Sequence, residues 1–259
     1  MPTARKALAI SQRFVRNGLL AYLAPSDWDL LSASLELVDL RPRQIIHHAK
    51  MPMDYVYFIE KGLVSVSARI APDQWVEVWL VGCEGMTGVP IVLDAAEQSP
   101  LRRIVQVGGR AYRISSSDLA KAIESSRSLK KLLLRYVAVV LLQTSQSGAC
   151  NSHHSLKQRL ARWLLLARSA LQEDKLPLTH NVLARLLGVR RPSVTDCLGV
   201  LQEQETIKTD RGLIEVTDHE RLEAICCHCH QIIMNEYRRL IGPLSKSDEV
   251  ISQRHFVTS

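Results

Sequence analysis

The stretch from Leu178 to Val216, LTHNVLARLLGVRRPSVTDCLGVLQEQETIKTDRGLIEV, constrains the fold more tightly than any other part of the chain. Its punctuation spells two short helices, a tight turn and a hairpin. Thr179 is an N-cap residue for a first helix whose Val182, Leu183, Leu186 and Leu187 fall on one face. Gly188 ends that helix with the residue type that best tolerates a left-handed backbone. In the second helix Pro192 lies in the first turn, where a missing N–H costs little, and Val194, Leu198 and Leu201 recur at helical spacing. Arg190, Arg191, Ser193, Thr195 and Asp196 crowd the start of this helix, the end that a helix-turn-helix inserts into the major groove. Asp210-Arg211-Gly212 is a turn between two β-prone runs, Thr206–Thr209 and Leu213–Val216, and reads as a wing. Arg185 on the first helix, with Lys208 and Arg211 at the wing, stands where cations touch phosphate and hold register without reading bases.

A helix pair with a glycine between is a common packing unit. The cationic second helix and the hairpin behind it are what point to duplex DNA. Net charge +7 agrees with a polyanionic partner. Between Ser152 and His219, however, ten Lys and Arg face eight Asp and Glu, so a DNA-binding face must be a local patch. At 259 residues the chain is long enough for two domains with cores of their own. No run of eighteen apolar residues occurs, and the N-terminal MPTARKALAISQRFVRNGLL is basic and amphipathic without a signal-peptide core. A cytoplasmic protein with no membrane partner is expected. No nucleophile elbow, phosphate loop or HExxH pair is present, so the chain does not read as an enzyme.

Upstream, Asn17–Leu37 reads as two short helices around a Pro-Ser-Asp break. From Val38 to about Ile114 the texture changes to short alternating runs: Gln44–His47, Tyr55–Glu60, Leu63–Arg69, Trp75–Val81, Arg103–Val107 and Ala111–Ile114. Many short strands at this spacing imply a barrel or sandwich. The helical period returns at Ser117-Asp118-Leu119, and a long helix is expected from Leu129 to about Cys150, with Leu129, Leu132, Leu133, Tyr136, Val140 and Gln143 in one stripe. Val137–Leu142 is apolar almost all round, which implies a second buried face and hence a second copy of the helix. Ser147-Gly148 near the end of this helix and Asn151-Ser152 beyond it look like a hinge into an amphipathic helix from Leu156 to Leu171.

This order of elements resembles the Crp/Fnr family of bacterial transcription regulators over roughly residues 17–222. Asp54–Val66, DYVYFIEKGLVSV, looks like the family's strand, glycine turn and strand, and Gly82–Gly88, GCEGMTG, like its glycine-rich turn into the nucleotide cassette. The resemblance implies an α+β chain: an N-terminal double-stranded β-helix or jelly roll of the cNMP-binding type, a long dimerisation helix and a C-terminal winged helix-turn-helix. The implied division is 17–127 for the sensor roll, 128–151 for the dimerisation helix and hinge, 152–222 for the DNA-binding domain and 223–259 for a C-terminal helix and tail. Double-stranded DNA and a second copy of the chain are the implied partners, and RNA polymerase is one the family likeness allows.

The departures matter as much. Cyclic-nucleotide-binding members place a Gly-Glu pair after the turn and an Arg-Ser or Arg-Thr pair about ten residues later. Here Gly88 is followed by Val89-Pro90-Ile91, and the phosphate stretch reads Gln98-Ser99-Pro100-Leu101-Arg102-Arg103. Arg102 or Arg103 would be a shifted phosphate ligand, but an aliphatic in place of the ribose acceptor leaves sugar hydroxyls unpaired on burial. No cofactor is therefore expected, the effector is undetermined, and response to a cyclic nucleotide through a variant cassette is the alternative. The family's oxygen sensors carry an N-terminal cysteine cluster, and this chain has no cysteine before Cys83. His47-His48 are haem ligands in type, with one ring expected inward on a strand and one solvated. In the recognition helix Arg191 matches the family's first Arg and is suited to guanine N7 and O6. Pro192 replaces the family's Glu and Asp196 its second Arg, so the half-site read must differ.

Six cysteines, Cys83, Cys150, Cys197, Cys226, Cys227 and Cys229, are scattered except for the last three, and reduced thiols are expected. His219–Ile241, HERLEAICCHCHQIIMNEYRRLI, reads as one amphipathic helix, on which Cys226, Cys229 and His230 would share a face as metal or redox candidates. A structural zinc site draws ligands from two separated segments. Only one is visible in the sequence, so the preferred reading is no metal, with these cysteines as small apolar residues on a packed stripe.

Overall fold

The computed structural model describes residues 11–94 and 99–244. The first ten residues of the basic N-terminal stretch, Gln98 of the phosphate stretch and the tail from residue 245 lie outside the described residues.

Two short helices, α1 (Gly18–Ala21) and α2 (Pro25–Ser32), lead into an antiparallel sheet of β1 (Glu36–Leu40), β2 (Ile45–His47), β3 (Tyr55–Ala71), β4 (Gln74–Val81) and β5 (Arg102–Ser115). The strand order is β1-β5-β3-β4, with β2 on the N-terminal half of β5. Two expectations change here. The paired runs 55–60 and 63–69, and 103–107 and 111–114, are not separate strands but the halves of the continuous strands β3 and β5. At Gly62 the backbone takes φ +110°, and a Cβ there would lie 2.7 Å from the Val107 carbonyl oxygen. The chain therefore shifts register at Lys61–Val64 and keeps pairing instead of turning back. The edge strand β1 is also new, and its residues are mostly exposed, which hides it from a hydrophobic-pattern reading.

After α3 (Val89–Val92) and β5 come α4 (Ser116–Ser125) and the long α5 (Arg127–His153), whose first turn is capped by Ser126 Oγ accepting from Leu129 N–H. Leu129, Leu133, Tyr136, Val137, Val139 and Val140 of α5 are buried in the core that the roll shares with α1 and α2. The helix α6 (Leu156–Leu171) starts on a capping box between Ser155 and Gln158. It is followed by β6 (Lys175–Leu176), α7 (His180–Leu187), α8 (Arg191–Glu203), β7 (Ile207–Asp210), β8 (Leu213–Val216), α9 (His219–Ile225) and α10 (Cys229–Leu240). The short β6 adds a third strand to the wing, pairing with β8.

The glycine-rich turn is the junction of the whole chain. A Cβ at Gly85 would sit 2.1 Å from the Tyr136 hydroxyl oxygen, so only glycine lets α5 approach. That hydroxyl donates to the Met86 carbonyl, while the Tyr237 hydroxyl of α10 donates to the Glu84 carbonyl at 2.8 Å and Cys83 N–H donates to the Ala170 carbonyl of α6 at 2.9 Å. Leu63, Leu80 and Val107 of the roll are buried in one core with α6, α7 and α8. Roll and winged helix are thus packed together, as hydrophobic area removed from water at about 25 cal/mol per Å² favours.

Candidate nucleic-acid interface

The helix pair forms for the reasons its residues suggest. Thr179 Oγ1 accepts from Val182 N–H at 3.3 Å, and α7 ends at Gly188 in the left-handed conformation with φ 65°. Leu183, Leu186, Leu187, Val194, Leu198 and Leu201 meet in the core between α7 and α8. Their burial leaves the polar side of α8 outward. Arg190, the N-cap, and Arg191, Pro192, Thr195 and Asp196 in the first turns are exposed, with Ser193 half-buried. Lys208 on β7 and Arg211 at the wing turn are exposed on the same domain. Other cations of the domain are tied down: Arg168 to Asp174 at 2.5 Å, and Arg221 to Asp218 at 3.4 Å.

One of the expected contacts has another occupation. The Thr195 hydroxyl donates to the Arg191 carbonyl at 3.2 Å and lies 2.9 Å from His180 Nδ1, so it joins the two helices. Arg185 is exposed on α7 and its charge reaches Arg102 of the roll; burial first, and Arg185 second, lower the Arg102 pKa. Two residues were missed by sequence reasoning. His180 reads as a helix-start residue, and Arg159, which donates to the Leu187 carbonyl at 2.7 Å and satisfies the end of α7, carries no signal in a linear pattern.

The ligand candidates of the roll also have definite places. Arg103 is fully buried; its Nε donates to the Thr87 carbonyl at 3.1 Å and its Nη1 to the Leu101 carbonyl at 3.3 Å and Ser99 Oγ at 3.4 Å. Burial lowers its pKa to about 10. The Arg102 guanidinium stacks on the Trp75 ring, 4.3 Å from its centroid. The space beside Gly88 is taken by Val56, whose side chain a Cβ would meet at 2.6 Å. His47 points inward, with burial and then Arg103 lowering its pKa to about 4, while His48 is exposed.

The metal candidates separate. The segment from His219 to Ile241 is not one helix, because the chain breaks over Cys226-Cys227-His228 between α9 and α10. Cys226 turns its thiol to the Cys227 carbonyl at 3.2 Å, and His230 Nδ1 lies 3.5 Å from Glu223 of α9. Cys226, Cys229 and His230 therefore do not converge on one point.

A short helix pair with its cationic start outward, backed by a three-stranded wing and joined to a β-roll by a long helix, has the architecture of a winged helix-turn-helix module on a β-roll. Residues 158–225 match the Crp-like helix-turn-helix domain. The order of roll, long helix and winged helix is similar to that of Crp/Fnr-type transcription regulators. It is 25% identical over 215 residues to the CRP-like cAMP-activated global transcriptional regulator of Mycobacterium tuberculosis, covering 80% of this chain and 95% of that one. It is 25% identical over 174 residues to the global nitrogen regulator of Nostoc sp. strain PCC 7120, covering 64% of this chain and 78% of the relative. Among solved structures, FixK2 from Bradyrhizobium japonicum superposes with a TM-score of 0.64 at 16% identity, over 74% of this chain and 98% of that one. A Crp/Fnr regulator from Eubacterium rectale gives 0.61 at 19% identity, over 80% of this chain and 96% of that one. Among the described residues no helix is long and apolar enough to cross a membrane.

Proposed function

We propose that this transcription regulator works in the cytoplasm as a homodimer that reads a near-palindromic DNA site without a cyclic nucleotide. The observation that carries the DNA reading is the exposed Arg190–Arg191 start of α8 above a fully formed helix-turn-helix core. Arg191 reads a guanine, Asp196 is suited to accept from a cytosine amino group, and Arg190, Ser193, Lys208 and Arg211 hold the backbone. Arg185, exposed on α7, joins them. RNA polymerase is the further partner of such a regulator. Dimerisation rests on α5: Leu134 is 42% exposed and Leu141 61%, and with Ala138, Ser145 and Gly148 they form a small-apolar stripe at heptad spacing opposite the buried face.

The absence of a cyclic-nucleotide response is supported by Arg103, whose Nε and Nη1 are spent on Thr87, Leu101 and Ser99, and by Val56 filling the space at Gly88. The second reading, a variant cassette, draws on Arg103 Nη2, which is buried without a hydrogen-bond partner among the described residues. Selection of bound duplexes from a random pool, repeated with and without cyclic AMP, tests both. A symmetric site with half-sites about one helical turn apart, enriched equally in both arms, is expected. Enrichment only with the nucleotide would favour the second reading, and no enrichment in either arm would reject DNA recognition.

A further inference from the structure

Cys150 lies in the last turn of α5, and His154, four residues on, is its C-cap, whose N–H donates to the Cys150 carbonyl at 3.0 Å and so keeps the two residues adjacent. Cys227 and Cys229 come from the break between α9 and α10. In an unbroken helix residues two apart point about 200° from each other. Here Cys226 is extended, with ψ 152°, and the kink turns both thiols toward α5. Cys150 Sγ lies 3.4 Å from Cys227 Sγ, Cys229 Sγ lies 3.7 Å from His154 Nδ1, and all four ligand atoms are within 4.8 Å of one another. Cys150 is fully buried, and Cys227 and Cys229 are nearly so.

We propose that Cys150, His154, Cys227 and Cys229 bind one zinc ion, which clamps the end of α5 to the start of α10. With Zn–S near 2.3 Å and Zn–N near 2.05 Å, a tetrahedral site sets its ligand atoms roughly 3.5–3.8 Å apart, close to the spacing found. Three thiols and an imidazole are soft and borderline ligands, which select zinc over magnesium or calcium. The group is too tight to enclose the inorganic sulfides of an iron–sulfur cluster. Two segments 75 to 77 residues apart in sequence supply the ligands, as a structural zinc site requires. Three thiolates and a zinc ion leave one negative charge in a buried place. Arg162 answers it: this side chain is buried beside the cluster, its Nη1 donates to Ser147 Oγ at 3.1 Å, and its Nε has no hydrogen-bond partner among the described residues. Because His154 immediately precedes the capping box of α6, the ion fixes the angle at which the DNA-binding domain leaves the long helix.

The test uses the full chain purified under reducing conditions from cells supplied with both zinc and iron. About one zinc per chain is expected by mass spectrometry of metals, and cobalt exchange should give the intense visible bands of a tetrahedral thiolate site. Cys150→Ser and His154→Ala should each lower zinc affinity by at least about tenfold in a chelator competition, while Cys197→Ser keeps it. Wild-type metal content and the cobalt spectrum need no variant, so a variant that fails to fold leaves the proposal open to refutation. Metal-free protein that takes up neither zinc nor cobalt, an iron–sulfur chromophore, a Cys150–Cys227 disulfide in place of the ion, or undiminished affinity in Cys150→Ser overturns it.

Discussion

At the residue scale, the proposed function gives two arginines of the same charge different work. Arg191 sits exposed in the first turn of α8, the position proposed to read a base edge, whereas Arg211 sits at the tip of the β7–β8 turn, the position proposed to touch phosphate. Arg191→Ala should weaken the selected site by about 1–3 kcal/mol and relax preference at one base pair, while Arg211→Ala should weaken all duplexes alike and reduce the salt slope by about one. Titrations on the selected site and on a scrambled duplex at several salt concentrations compare them, and identical profiles would refute the division of roles. A different residue-scale constraint acts at Gly85. Its α-carbon faces the Tyr136 hydroxyl, which is locked by the backbone of Met86, so Gly85→Ala forces the ring or the turn to move. Overpacking of this kind costs about 1–3 kcal/mol, and a lowered urea midpoint with unchanged m-value is the expected reading.

At the element scale, α5 carries one buried face and one exposed face, and the proposed dimer uses the second. Leu129, Leu133, Tyr136 and Val140 are buried within the chain, and Leu134 and Leu141 are not. Leu141→Glu should therefore leave folding nearly unchanged, within about 0.5 kcal/mol, yet convert a dimer to a monomer in sedimentation equilibrium and abolish high-affinity binding to the two-half-site duplex. A dimer that survives the substitution would place the subunit contact elsewhere. The break between α9 and α10 belongs to the same scale. A hydropathy pattern passes through Cys226–His228 without interruption, because cysteine and histidine suit a half-buried helix as well as a kink. The turn there was illegible for that reason, and with it the approach of Cys227 and Cys229 to Cys150.

At the scale of the whole molecule, the roll and the winged helix share polar as well as apolar contacts. Trp163 of α6 donates from Nε1 to Glu77 of β4 at 2.7 Å, and Lys61 pairs with Glu173 at 2.7 Å. The two junctions differ in exposure, and only the first is screened from water. Burial raises the Glu77 pKa from 4.5 to about 7, the hydrogen bond from Trp163 opposing that shift in part. Glu84 in the glycine-rich turn is raised to about 7 for the same reason. A carboxyl whose pKa is higher folded than unfolded binds more protons in the folded state. Its contribution is therefore greatest at acid pH and declines as pH rises from about 4.5 to about 7. Glu77→Gln keeps an acceptor for Trp163 but cannot ionise, so its unfolding free energy should fall less steeply than that of the wild type across this window. Parallel curves in denaturant titrations at a series of pH values would show that Glu77 does not titrate at the junction.

The local pattern from Thr179 to Val216 was sufficient to specify the helix pair and the hairpin, because caps, a left-handed glycine and the spacing of leucines act within a few residues of one another. The family likeness followed from the order of such local units. What lay beyond reach depended on atoms brought together from distant parts of the chain: the bend of β3 at Gly62 against Val107, the occupation of Thr195 by His180, the packing of the glycine turn on Tyr136, and the meeting of Cys150 and His154 with Cys227 and Cys229. Local preferences are written in neighbouring residues, whereas close approach is decided only when two surfaces compete for the same space.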